Sequence, residues 1–254
     1  MHRTVTTWPE FKEHWNGVLN FLIGRELTQF DFELPPLDQF VDELRLCPGT
    51  QILSGVKSAT FDLTDISESF RKLSIDQAMD HPFNIANFNF EGSDLYAPGK
   101  LFHGLQDRWV EPWGRALRAH GFTWREFFPI VFVSGRNCAT NYHNDVSHVL
   151  LWHRYGTKTF NGLKDPDRWT TVEERCHRDD FHYSRPAEIA EDDILRYEMK
   201  PGAVLWNAFT TPHWVDAANE VAASLGIVHR GLRLDGRLCL HEEELVEHQR
   251  KVGT

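Results

Sequence analysis

The sequence predicts a mainly β fold, a single barrel with α-helices packed outside it, most of them from the N-terminal half. Three observations carry this expectation. From residue 130 to residue 233 the chain reads as short apolar strands separated by turns. Ahead of that stretch, apolar residues recur at helical spacing. Aromatic residues make up 13% of the chain, nine Trp among them, which favours a β-rich or mixed core enclosing a large pocket. One domain over residues 1–254 is expected, because no internal repeat, low-complexity tract or clear linker divides the chain.

A first helix is expected over residues 7–23. Thr7 and Glu10 fit a capping box, Pro9 sits in the first turn, Phe11, Trp15, Val18, Leu19 and Leu22 share a face, and Gly24 can stop it. A second helix is expected over 37–46, ended by Cys47-Pro48-Gly49. Residues 51–63 read as one or two short strands around Gly55. Residues 67–79 are polar with helical spacing, and Ser74 with Gln77 makes a second cap. Residues 81–104, rich in Phe, Asn and Gly, read as loops and short strands. Residues 106–120 form an amphipathic helix with Trp109, Trp113 and Leu117 on one side and Gly121 as its stop.

Residues 1–128 are thus a largely helical support for a barrel core over 129–233. Inside the core, residues 161–198 are charge-dense with few apolar residues at regular spacing, as in a surface loop or lid. Residues 199–207 return to a turn and a strand, residues 222–229 to another strand, and residues 242–251 close the chain as a solvent-facing helix.

Charge and composition exclude several function classes. A net charge of −10 argues against nucleic acid as the main partner. No apolar run reads as a signal peptide or a membrane span. Cys47, Cys138, Cys176 and Cys239 show no C-x-x-C spacing, so neither a zinc knuckle nor a disulfide framework is expected. A cytoplasmic protein with reduced thiols, free of membrane contact, is the expectation; a homodimer is compatible with it.

The chemistry centres on His143-Asn144-Asp145. Residues two apart on a strand share a face, so the imidazole of His143 and the carboxylate of Asp145 would converge. With one distant histidine they would form the 2-His-1-carboxylate triad that holds Fe(II) and leaves positions open. His213 has the best context for that third ligand, since it follows a P-G turn and an apolar strand and opens the next strand. An isolated H-x-D also arises by chance on a surface strand, and an isolated histidine is often a core residue bonded to backbone. His148 has the wrong parity to join His143, whereas His153 has the right one and reads equally as pocket wall or packing. Cys176, His177 and His182 match no structural zinc spacing and read as a solvated loop. Trp152, Trp206 and Trp214 read first as core.

Residues 132–160, joined to 199–217, resemble the Jumonji-C (JmjC), cupin-like branch of the Fe(II)/2-oxoglutarate oxygenases. Gly135, Thr140, His143, Asp145, Gly156, Lys158, Pro201, Gly202, Pro212, His213 and Val215 occupy that family's motif positions in order. The resemblance implies a double-stranded β-helix, or jelly-roll, barrel with Fe(II) on His143, Asp145 and His213. It implies 2-oxoglutarate and O2 as co-substrates, with the far carboxylate of 2-oxoglutarate on Lys158 and Thr140. The sequence departs from the family at Ala203, where Asp is usual after the P-G turn. It departs again on the last core strand, where Ser224, Gly226 and His229 replace the Asn and Trp that stand near the co-substrate. Arg230 or Arg233 could serve as the carboxylate partner instead of Lys158, as a late arginine does in other branches.

The expected function is oxidation of a small molecule such as an amino acid derivative or natural-product intermediate. Hydroxylation is the default, with desaturation or cyclisation from the same chemistry, and 2-oxoglutarate is converted to succinate. The alternatives are a protein side-chain hydroxylase, a metal cupin of different chemistry, and a non-catalytic cupin-like binding protein.

Overall fold

The computed structural model describes residues 3–58, 64–87, 94–171, 174 and 184–252. Strands β1 (Thr4–Val5), β2 (Phe21–Ile23), β3 (Gln51–Ser54) and β4 (Phe83–Asn87) precede β5 (Phe122–Thr123) and β6 (Glu126–Ser134). Then follow β7 (Ala139–His143), β8 (His148–Tyr155), β9 (Lys158–Leu163), β10 (Ile194–Met199), β11 (Val204–Asn207), β12 (His213–Ala217) and β13 (Ala222–Arg230). Two short strands, β14 (Arg233–Leu234) and β15 (Arg237–Leu238), pair beside β5. The helices are α1 (Trp8–Trp15), α2 (Leu37–Leu46), α3 (Ser67–Arg71), α4 (Ile75–Asp80), α5 (Glu111–Ala119) and α6 (Leu240–Val252).

The eight strands from β6 to β13 build the barrel. An eight-stranded sheet runs β1-β2-β11-β8-β13-β6-β4-β3, and a four-stranded sheet runs β10-β9-β12-β7. The chain therefore crosses between sheets at almost every step, and all pairings among the barrel strands are antiparallel. This is the jelly-roll, or double-stranded β-helix, arrangement.

Period-two alternation sorts side chains between the two faces of the larger sheet. On β8, Leu150 and Trp152 turn outward, while Val149 and Leu151 turn into the barrel. On β13, Leu225 and Ile227 face outward and Ser224 faces in. The outward residues meet Phe11, Phe40, Trp109 and Trp113 from the helices, all at most 1% exposed. Burying each such ring contributes on the order of 1.5–3 kcal/mol, so this interface anchors the barrel wall. Gly156 makes the tight turn from β8 to β9 at φ +63°, where a Cβ would stand 2.5 Å from the Val221 carbonyl oxygen.

The helix expected over residues 7–23 stops at Trp15. Its capping box forms, with Glu10 N–H donating to Thr7 Oγ1 at 3.4 Å and Thr7 N–H donating to Glu10 Oε2 at 3.1 Å. Residues 21–23 instead pair with β11, because Phe21 and Ile23 gain buried sheet positions there. Tertiary pairing overrides the helical spacing. Residues 67–79 hold two short helices, the second with the Ser74–Gln77 capping box. Residues 106–110 are a π turn in which Glu111 N–H bonds to Gln106 O, and α5 follows. Pro112 has no N–H to continue a regular α pattern there.

The stretch 161–198 is not loop throughout. Residues 161–163 and 194–199 pair antiparallel, Ile194 opposite Leu163 and Met199 opposite Lys158. In β10 the apolar residues alternate beneath Arg196 and Glu198, a strand pattern that the charges conceal. The excursion between the two strands is thus 164–193, and Cys176, His177 and His182 lie outside the described residues. Cys47, Cys138 and Cys239 are free thiols. Among the described residues, no helix is long and apolar enough to cross a membrane.

Candidate metal centre and pocket

His143 is the last residue of β7 and His213 the first of β12. The two are cross-strand partners, with a register shift just beyond them. Asp145 lies past the end of β7, so the loop rather than strand parity turns it back toward His143. Two bonds hold that loop: Thr210 N–H donates to Asp145 O, and Asn207 Nδ2 donates to Asp145 Oδ2, both at 2.9 Å. Thr210 takes a left-handed conformation at φ +50°, which is unfavourable for a β-branched residue. That strain sits directly behind the aspartate.

His143 Nε2 is 3.9 Å from Asp145 Oδ1, and His213 Nε2 is 3.6 Å from Asp145 Oδ2. All three donor atoms lie within 4.8 Å of one another. A six-coordinate ion with bonds of about 2.1 Å places neighbouring donors about 3 Å apart, so movements below about 1 Å would close the set. The ring orientations are already fixed. His143 Nδ1 lies 2.7 Å from Asn141 O, and His213 Nδ1 lies 2.9 Å from Thr211 O. A carbonyl only accepts, so Nδ1 carries the proton in each ring and Nε2 presents its lone pair. Burial, and then the neighbouring His143, push the pKa of His213 down to about 4, which keeps the ring neutral. Two imidazoles and a carboxylate fit a divalent iron.

These residues open onto a cavity of about 50 Å³. Its walls are apolar at Phe132, Val149, Leu151, Phe160, Met199 and Val215, and polar at Thr140, Lys158, Asn207 and Ser224. Phe160 stacks on His213, centroids 4.9 Å apart with an interplanar angle of 12°. Lys158 is 4% exposed, and among the described residues its ammonium reaches only the Phe132 carbonyl, at 3.5 Å. No carboxylate among the described residues pairs with it. Burial therefore pushes its pKa down to about 7.

Thr140, Lys158 and Ser224 thus join the three metal-ligand candidates in one cavity. Ser224 has a second commitment. His153 Nε2 donates to Gly156 O at 2.8 Å, and burial pushes the ring's pKa down to about 3, so its Nδ1 accepts the Ser224 hydroxyl proton at 2.9 Å. Ser224 consequently offers lone pairs to the pocket, which suit an ammonium rather than a carboxylate. Of the two earlier readings of His153, packing behind the pocket is what the structure displays.

Arg230 is not brought to the cavity, a correction to the sequence expectation. It has the parity of Ser224 but lies six residues along β13, about 20 Å at strand rise. Its guanidinium pairs with Glu126 at 2.9 Å at the far end of the barrel. His229 points outward and accepts a bond from Trp113 Nε1 at 2.9 Å.

Sequence reasoning overlooked Asn207. The available signal was a polar residue closing the apolar strand V-L-W-N on the inward face shared with Leu205.

A second cluster gathers His148, Cys239 and Glu242, also within 4.8 Å. Here the Phe209 N–H donates to His148 Nδ1 at 3.2 Å, so the neutral ring carries its proton on Nε2. Burial drives the Cys239 thiol up to about 12 and raises Glu242 as well.

No protein-family model and no curated protein matches the sequence. Solved structures do match in fold, that of the double-stranded β-helix. The chain is similar to the Escherichia coli ribosomal oxygenase YcfD at 15% identity and a TM-score of 0.53, covering 91% of this chain and 53% of that one. The YcfD structure in complex with cobalt and 2-oxoglutarate matches at 14% identity and a TM-score of 0.55, covering 100% of this chain and 58% of that one. At these identities the likeness is one of fold, and the chain spans little more than half the length of these neighbours.

Proposed function

We propose that the chain is an Fe(II)- and 2-oxoglutarate-dependent oxygenase. The observation that carries this reading is a combination. Three metal-ligand candidates and a buried lysine that has no carboxylate partner among the described residues line the same small cavity. An ammonium in an apolar wall is costly unless an anion joins it. A dicarboxylate with one end on the metal and the other on Lys158 supplies that anion through a charge-assisted bond.

The metal, when bound, couples O2 activation to decarboxylation of 2-oxoglutarate and oxidation of the substrate. The protein's own residues supply the rest. His143, Asp145 and His213 hold the ion, and the two Nδ1–H bonds to backbone keep both imidazoles aimed. Lys158 sets the co-substrate's depth and Thr140 stands beside it, while the Phe132, Leu151, Phe160 and Val215 walls exclude water.

The earlier preference for a small-molecule substrate draws no support from the neighbours. A solved neighbour is a ribosomal oxygenase. Hydroxylation of a protein side chain is the favoured reading. Calorimetric titration of 2-oxoglutarate into Co(II)-loaded protein tests the oxygenase assignment. Binding that requires the metal and is greatly weakened in Lys158→Ala is the expected result. Metal-independent binding, or binding indifferent to Lys158, would refute it.

A further inference from the structure

The turn at residues 208–211 holds two of the three metal-ligand candidates through its main chain. Thr210 N–H donates to Asp145 O at 2.9 Å, and Thr211 O accepts from His213 Nδ1 at 2.9 Å. Thr210 is fully buried and keeps its left-handed conformation at φ +50°. Such a conformation persists only where surrounding groups hold it.

Several side chains do so. Ala208 N–H donates to Asn20 Oδ1 at 3.0 Å, and Phe209 N–H donates to His148 Nδ1 at 3.2 Å. The first turn of α6 adds His241, which is 4% exposed. Its Nδ1 lies 3.2 Å from Phe209 O and 3.3 Å from Thr210 Oγ1, and its Nε2 lies 3.1 Å from Asp167 Oδ1. A carboxylate only accepts, so Nε2 carries a proton and donates to Asp167. Nδ1 then accepts the Thr210 hydroxyl proton or, when protonated, donates to the Phe209 carbonyl; either bond pins the same turn. Asp167 belongs to the excursion after β9, and its carboxylate is half exposed. His241 thus joins the C-terminal helix and the excursion to the turn behind the metal centre.

We propose that His241 is a positioning residue for the metal centre. Through Nδ1 it fixes the turn that bonds Asp145 and His213, and through Nε2 it is itself aimed by Asp167. It acts by way of Phe209 and Thr210 rather than on the ion. The inference rests on the oxygenase reading only for the assignment of the metal ligands.

The test is calorimetric titration of the full chain with Co(II), followed also by the Co(II) visible band and counting only the uptake that Asp145→Ala abolishes. His241→Leu removes both bonds and should weaken Co(II) binding about tenfold. His241→Asn keeps a polar group near the Nδ1 position but cannot reach Asp167, and should weaken binding only about threefold. Asp167→Ala breaks that same bond from its exposed end and should also cost about threefold. The double variant of His241→Asn with Asp167→Ala should be no weaker than either single one. Loss of packing alone would harm the smaller asparagine at least as much as leucine. Equal weakening in those two variants, or wild-type affinity in His241→Leu, therefore overturns the proposal. If the leucine variant does not fold, the asparagine and Asp167→Ala pair decides: losses that add, or no loss at all, overturn it. A wild type that takes up no Co(II) removes the metal centre itself, an outcome visible before any His241 variant is made.

Discussion

Replacing Lys158 with methionine should stabilise the protein while abolishing co-substrate binding. Burial lowers the folded-state pKa of Lys158 from 10.5 to about 7. Between those two values the unfolded chain holds a proton that the folded protein lacks, so stability rises with pH across that window. Below pH 7 both states are protonated and the penalty is at its full size. Integrating the linkage gives a penalty of about 4 kcal/mol at pH 7, falling to about 2 kcal/mol at pH 9. Methionine keeps the length of the side chain and carries no charge to desolvate. Urea unfolding of the metal-free proteins should show Lys158→Met more stable than wild type by about 2–4 kcal/mol at pH 7. The gap should narrow by about 2 kcal/mol at pH 9. A variant no more stable than wild type at pH 7, or a gap that widens with pH, would refute the claim that this amine is buried without a partner.

Other perturbations test separate parts of the structure. Affinity for 2-oxoglutarate should weaken by up to about tenfold per pH unit above pH 7, as free Lys158 loses the proton that the carboxylate needs; calorimetry on Co(II)-loaded protein between pH 7 and 9 measures this. Asp145→Ala should eliminate Co(II) binding while the protein stays folded, at a cost of about 1–3 kcal/mol because the buried Asn207 Nδ2 loses its acceptor. Arg230→Ala should leave 2-oxoglutarate affinity within about twofold of wild type, its partner being the half-exposed Glu126. Gly156→Ala should cost about 2–3 kcal/mol in chemical denaturation, since it combines a positive φ with a 2.5 Å approach to Val221 O.

Much of the barrel was legible because its signals are local. The capping boxes at Thr7 and Ser74 formed as expected, and Leu37–Leu46 is the helix its pattern indicates. The misreadings arose where a distant partner decides the outcome. Residues 21–23 look helical in isolation and become a strand because β11 offers a sheet edge. Residues 194–199 look like a charged loop because the outward residues of a half-exposed strand mask its inward ones. The site divides in the same way. His143, Asp145, His213 and Lys158 could be named from spacing and resemblance. The Thr210 turn, the Asn207 bond to Asp145 and the pairing of Ser224 with His153 join residues up to 71 positions apart, which no local pattern reports. Arg230 was offered because other branches use a late arginine, and that likeness says nothing of its depth along β13, where it pairs with Glu126.

The most direct measurement is an anaerobic titration of the metal-free protein with Fe(II) and then 2-oxoglutarate, followed by visible absorption. If His143, Asp145 and His213 hold the ion and Lys158 receives the far carboxylate, a metal-to-ligand charge-transfer band should grow and saturate at one equivalent. It should be absent in Asp145→Ala and require far more 2-oxoglutarate in Lys158→Ala. Iron uptake without the band would mean a metal cupin of different chemistry, and no uptake at all would contradict the assignment of the metal centre.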